Sequence, residues 1–220
     1  MRIFKYSNIG NREQNQDYIV STKLGQYSSL HLVADGMGGY DCGEIAAKVI
    51  GDSFLYGLSR SMTIEEAARY ASNNILIEKR NLGVQKMGST IAGLLLNGMN
   101  ATIFWSGDSR VYVFRDKDLY YQTDDHSVIN ELSRRRSLTF EEKKRYGHIV
   151  TRSIMGNEDD KVDTHELTLQ EGDEIIVCTD GLYNDCPIDY LIESIRDDNF
   201  DINKHNESFG DNHSLIYISM

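Results

Sequence analysis

Apolar residues recur along the chain in short runs bounded by glycine or polar turns, at 17–22, 28–35, 88–96, 100–106, 109–115, 173–179 and 213–219. Runs of that length between turn signals predict β-strands. Two longer stretches repeat apolar residues near helical spacing: 43–58 with Ile45, Val49, Ile50, Phe54 and Leu58, and 63–80 with Ala67, Tyr70, Ala71 and Ile75. Thr63 opens the second with a Thr-x-x-Glu signature closed by Glu66, the pattern of a capped helix N-terminus. The two helices follow one another between strands, as expected of a helix pair packed on one sheet face. From 127 to 150 the apolar pattern weakens and charge rises, with Arg134-Arg135-Arg136 and Glu141-Glu142-Lys143-Lys144-Arg145, which predicts a small helical insert at the surface. The stretch 197–212 is polar, rich in Asp and Asn, and reads mostly as loop.

Composition narrows this picture. The chain has 220 residues, 40% of them hydrophobic, enough for one cooperative domain over 1–220 with a substantial core. A net charge of −11 excludes a protein that holds nucleic acid by bulk attraction to phosphates. No apolar run approaches the roughly 18 residues of a membrane span, and the start lacks the apolar stretch of a leader, so a cytoplasmic protein with no membrane partner is the expectation. The three cysteines, Cys42, Cys178 and Cys186, have no metal-type spacing and give no disulfide framework.

The candidate chemistry lies in acidic residues at predicted strand ends, each followed by Gly, Ser or Asn. They are Asp35 in Asp35-Gly36-Met37-Gly38-Gly39, Asp108 in Gly107-Asp108-Ser109-Arg110, Asp180 in Thr179-Asp180-Gly181, and Asp211 in Gly210-Asp211-Asn212. A carboxylate where a buried strand meets a tight turn is costly to bury unpaired, and all-oxygen ligation suits hard divalent ions such as Mg²⁺ or Mn²⁺. Each acid alone is equally a helix cap or a turn residue. The glycine motif is not a dinucleotide loop, because Asp41 stands where a third glycine is needed. Arg12, with Asn15-Gln16-Asp17, opens the first turn. A guanidinium beside such carboxylates matches two phosphoryl oxygens, although an arginine near an aspartate is commonly a surface ion pair.

In their order these residues resemble the metal-dependent Ser/Thr protein phosphatases of type 2C, in their compact bacterial form. The matching segments are Arg12-x-x-Asn15-Gln16-Asp17, Asp35-Gly36-Met37-Gly38-Gly39, Gly88-Ser89-Thr90, Gly107-Asp108-Ser109-Arg110, Thr123-x-Asp125-His126-Ser127, Thr151-Arg152, Asp180-Gly181-Leu182 and Asp211-Asn212. They span residue 6 to the end. The resemblance implies an α+β fold, a four-layer α-β-β-α sandwich of two central antiparallel sheets flanked by helix pairs, with a flap at 127–150. It implies Asp35 bridging two Mg²⁺ or Mn²⁺ ions with the Gly36 carbonyl touching the second, Asp180 and Asp211 completing the first, and Asp17 near the second. Asp108 matches the carboxylate of a weaker third ion, and Arg12 the phosphate-binding arginine. The implied reaction is hydrolysis of phosphoserine and phosphothreonine in proteins by a metal-activated water, opposing a Ser/Thr kinase and its targets, with the enzyme a monomer.

Departures from the pattern accompany the match. Tyr40 follows the glycine motif where many bacterial relatives carry His, and Met37 stands where eukaryotic relatives have a histidine proposed as general acid. His126, His148 and His213 are the remaining candidates, with a hydrogen-bonding structural role the simpler reading of His126. Asn184 occupies a position four residues after Asp180 where relatives often have an acid, with Asp185 adjacent. None of Cys42, Cys178 or Cys186 has an arginine six residues later, where Lys48, Asn184 and Ile192 stand, which disfavours a cysteine-dependent phosphatase. A non-catalytic sensor or scaffold of the same fold and a phosphatase dedicated to one regulatory protein stay open.

Overall fold

The computed structural model describes residues 1–37, 42–147, 149–197 and 209–220. Gly38, Gly39, Tyr40 and Asp41 of the glycine motif, His148 and most of the predicted loop after 197 lie outside the described residues. One antiparallel sheet has the order β1 (Arg2–Asn8), β10 (His213–Ser219), β9 (Glu174–Cys178), β6 (Arg110–Arg115), β7 (Asp118–Gln122). The other runs β2 (Asp17–Lys23), β3 (Ser28–Asp35), β4 (Ile91–Asn97), β5 (Asn100–Ser106), β8 (Asp163–Thr168).

Side-chain alternation builds the layers. Along β9, Ile175 and Val177 face the opposing sheet, where they join Leu94 and Ile103 in one apolar layer, while Ile176 and Cys178 face outward. Helices α5 (Asp180–Asp185) and α6 (Ile188–Arg196) cover that outward face through Leu182, Leu191, Ile192 and Ile195. On the second sheet Leu30, Leu32 and Phe104 turn outward against α1 (Gly43–Ser59) and α2 (Ile64–Leu82), whose Ile50, Phe54, Ala67 and Ile75 complete a third apolar layer. Burial on both faces of each sheet, at about 25 cal/mol per Å² of apolar surface, is the main stabilising term. The result is the α-β-β-α sandwich expected from the sequence.

The predicted helix start at Thr63 is present as a reciprocal capping box. The Thr63 hydroxyl accepts from the Glu66 N–H at 3.2 Å, and the Glu66 carboxylate accepts from the Thr63 N–H at 2.8 Å. The insert forms two short helices, α3 (Val128–Ser133) and α4 (Phe140–Tyr146), neither of which buries a residue. Two of its arginines are paired locally: Arg134 with Asp124 at 2.9 Å, and Arg136 grips Glu142 with both guanidinium nitrogens at 2.8 and 2.5 Å. Strands β1, β7 and β8 and helices α5 and α6 were not among the elements that the apolar pattern predicts. Among the described residues no helix is long and apolar enough to cross a membrane.

Candidate metal centre

The predicted acids meet at one end of the sandwich. Asp17 begins β2 directly opposite Asp35 at the end of β3, so strand register alone pairs these two carboxylates. Asp180 starts α5 just past β9, and Asp211 precedes β10, the strand beside β9. Asp108 lies in the β5–β6 turn. The glycine after each of two of these acids follows from backbone approach. A Cβ on Gly36 would lie 2.1 Å from the Gly43 carbonyl oxygen, and one on Gly181 2.0 Å from that of Asn212. No side chain fits at either position.

The electrostatics fit a cation-binding cleft. Burial, and then the charges of Asp17, Asp180 and Asp108, hold the Asp35 pKa well above the ordinary carboxylate range, and Asp35 shares a hydrogen bond with Asp180. Burial raises Asp180 as well, with Asp211 adding repulsion. Asp17 and Asp108 are both pushed up to about 7, chiefly by burial, Asp17 against hydrogen bonds from Ser214 and Thr179. The Oδ1 of Asp17 is buried without a hydrogen-bond partner among the protein atoms. An orphaned carboxylate oxygen amid mutually repelling acids is what a divalent cation offsets. Among the described residues, no group of three or more Asp, Glu, His or Cys side chains is arranged as a finished cage. Asp35 and Asp180 are bonded to each other, and Asp211 is turned onto Arg12 at 2.6 Å. The donor set, all carboxylate and carbonyl oxygens, fits Mg²⁺ or Mn²⁺.

Arg12 is half-exposed on the cleft rim. Its loop is held by Asn212, a residue for which the sequence indicated no role beyond its place after Asp211. The Asn212 amide donates to the carbonyls of Ile9 and Gln14 at 2.8 and 2.9 Å, and its Oδ1 accepts from the Gln16 N–H at 2.8 Å. Asn15 Oδ1 accepts from the Asp17 N–H at 3.1 Å, and the Thr179 hydroxyl donates to Asp17 Oδ2 at 2.9 Å. Thr179 was legible only as the residue before Asp180; its partner is 162 positions away.

The histidines are engaged in the framework. The Gly107 N–H donates to His126 Nδ1 at 3.1 Å, leaving Nε2 to donate to Asp163 at 3.0 Å, and the ring stacks on Trp105. His213 is buried, with Nδ1 on the Asp211 carbonyl at 3.0 Å and its ring against Phe209. The candidates Tyr40 and His148 lie outside the described residues. Asn184 Nδ2 reaches Asp180 Oδ2 at 3.3 Å, whereas Asp185 turns away and accepts from the Gly210 N–H at 2.7 Å. Asp185 therefore does not replace the acid missing at position 184.

Two stacked antiparallel sheets between helix pairs, with a carboxylate floor at one end and an arginine on its rim, define an α-β-β-α sandwich hydrolase. The family model for protein phosphatase 2C matches residues 6–211, and the chain belongs to that family. Protein phosphatase PhpP of Streptococcus pneumoniae is 28% identical over 196 residues, covering 84% of this chain and 80% of that protein. The Streptococcus agalactiae serine/threonine phosphatase structure superposes with a TM-score of 0.81 at 28% identity, covering 100% of this chain and 99% of the other. The catalytic domain of the phosphatase PstP, in a structure with two manganese ions, shares the fold with a TM-score of 0.81 at 24% identity, covering 98% of this chain and 96% of the other.

Proposed function

We propose that Asp35, Asp180 and Asp211, with Asp17, Asp108 and the Gly36 carbonyl, hold Mg²⁺ or Mn²⁺, and that Arg12 clamps the phosphoryl group of phosphoserine or phosphothreonine in a protein substrate. As a member of the 2C family the chain is a protein phosphatase. The observation that carries the site reading is the convergence of Asp17, Asp35, Asp108 and Asp180, all with pKa raised by burial, on one cleft floor. Bound at that floor, the ions supply Lewis acidity that activates water and offsets the charge of the phosphate.

The residues themselves divide the remaining work. Asp35 lies between Asp17 and Asp180 and is the carboxylate placed to serve both halves of the site. Arg12 is already within 2.6 Å of Asp211, so its fork stands where a phosphate beside the acids is reached. Asn184 in place of an acid leaves the position near Asp108 short of one carboxylate, which suits two firmly held ions and a weaker third. The proposed setting is cytoplasmic, with the protein a monomer and a Ser/Thr kinase supplying its phosphorylated substrates.

The test is release of phosphate from a phosphothreonine peptide by metal-stripped protein, with and without Mn²⁺. Release only with Mn²⁺ is expected. Metal binding without turnover would favour a non-catalytic scaffold instead.

A further inference from the structure

The turn that carries Asp108 is gripped on both sides by two consecutive residues, Asp125 and His126, which lead directly into the insert. On one side His126 makes two bonds to Gly107: its Nδ1 accepts from the Gly107 N–H at 3.1 Å, and its own N–H donates to the Gly107 carbonyl at 2.9 Å. On the other side Asp125 holds the guanidinium of Arg110 with both oxygens at 2.7 Å. That guanidinium lies over the ring of Tyr183, 3.6 Å from its centroid, and the Tyr183 hydroxyl donates to the Asp108 main-chain carbonyl at 2.8 Å. Tyr183 sits on α5, the helix that Asp180 begins. The Asp125 carbonyl in turn accepts from Asn130 of α3 at 2.8 Å.

We propose that Arg110 and Tyr183 are positioning residues that fix Asp108 relative to Asp180 and couple both acids to the insert through Asp125. The inference rests on the assignment of Asp108 and Asp180 as metal ligands. Two features favour a positioning device over a surface ion pair. The Arg110–Asp125 pair is largely shielded, with side chains 22% and 15% exposed, so its geometry is held rather than averaged by solvent. The second feature is that α3 buries no side chain, and an open pocket of about 190 Å³ is lined both by its Ile129 and Asn130 and by the Arg110–Asp125 pair. The Asn130 bond to the Asp125 carbonyl joins α3 to the residue that grips Arg110, so a shift of the insert is felt at Arg110.

Partners one step removed from the metal ligands typically set metal affinity or activity by about 10–100-fold. Tyr183→Phe keeps the ring under Arg110 and removes only the bond to Asp108. Arg110→Lys keeps the charge and removes the two-pronged grip and the stacked plane. Each is expected to raise the Mn²⁺ concentration for half-maximal turnover about tenfold, with the KM for a phosphothreonine peptide little changed. Calorimetric titration with Mn²⁺ should show a weakened class of sites in each variant. The double variant should lose no more than the larger single loss, because both changes break one chain of contacts. A lowered melting temperature with wild-type Mn²⁺ dependence would mean that the pair only supports the fold and would overturn the proposal. Asp108→Asn serves as the control: if its Mn²⁺ titration and turnover match the wild type, the metal-ligand assignment of Asp108 fails, and the inference fails with it.

Discussion

Strand β9 carries acids at both ends, and the two ends treat them in opposite ways. At its start Asp173 is buried and bonded by Arg115 at 3.0 and 2.7 Å and by the Gln170 N–H at 2.8 Å. Although burial works against its charge, these partners hold the Asp173 pKa below the ordinary value. Beside it Glu174 accepts from Arg196 at 2.7 Å and from the Tyr217 hydroxyl at 2.6 Å. At the far end Asp180 is raised by burial and faces Asp35 and Asp211. The same residue type flanking one strand is thus neutralised by the protein on one side and left unneutralised on the other.

The sharpest way to break this contrast is at Asp35. Asp35→Asn removes a charge that the folded chain does not compensate, so the metal-free protein should melt no lower than wild type. Turnover of a phosphothreonine peptide with Mn²⁺ should nevertheless fall by at least about a thousandfold, the scale on which electrostatic stabilisation of a transition state acts. Near-normal turnover in a folded variant would sink the assignment of the floor as the reactive end.

Arg12 lies at the acid-lined end, yet it makes an ion pair of the kind found at the other. If the pair with Asp211 is its whole purpose, Arg12→Ala leaves kcat/KM unchanged, since exposed pairs contribute little. If it clamps phosphate, kcat/KM should fall by about 2–3 kcal/mol while Mn²⁺ affinity stays near wild type. A phosphopeptide titration paired with calorimetry separates the two.

The two ends were also unequally legible in the sequence. The meeting of the acids at one end was readable because they follow apolar runs, and Asp35 and Asp180 precede glycines; both features have physical causes: the strands are buried on both faces, and Gly36 and Gly181 each face a backbone oxygen too close for a side chain. The order of the motifs carried the rest. The edge strands were not readable. Strand β8, Asp-Thr-His-Glu-Leu-Thr, is largely exposed and lacks an apolar run, and β1 exposes most of its residues, so neither burial nor pattern marks them as strands. Networks were beyond reach for a different reason. Asn212 holds carbonyls about 200 positions away, and Tyr183 reaches Asp108 across 75, distances over which a single sequence gives no pairing signal. The arginine triplet in the surface insert is partly paired, Arg134 with Asp124 and Arg136 with Glu142.

At the structural end, Asp173→Asn keeps the shape of the side chain and deprives Arg115 of its charge partner. The melting temperature should drop by about 5 °C, while kcat, KM and Mn²⁺ dependence remain those of wild type. Loss of metal-dependent activity in the folded variant would mean that the two ends of β9 are not independent.

The smallest effect is also the one that sets both ends on a single axis, pH. In metal-free protein the floor carboxylates have folded pKa values above their unfolded ones, with Asp17 and Asp108 at about 7, so the folded chain binds more protons than the unfolded chain up to that pH. Stability must then fall as pH rises towards and through 7. Asp173 has the opposite sign: its folded value is depressed, so its contribution is complete above the ordinary carboxylate range and is lost only in acid. His31 bounds the window from below. Buried between Ser21 and Ser29, it is pushed down to about 4, so its neutral form stabilises the fold fully above the unfolded value near 6.5 and that stability is lost as pH falls. Between about pH 6.5 and 8 the raised floor carboxylates therefore dominate the pH dependence among the described residues. The melting temperature of metal-stripped protein should therefore decline by a few degrees across that interval, and less in Asp35→Asn. Saturating Mn²⁺ should raise it most at the upper end, because the ions bind the deprotonated carboxylates. A melting temperature independent of pH in metal-free protein across that interval would show that the floor is compensated from within, and the contrast between the two ends of β9 would be lost.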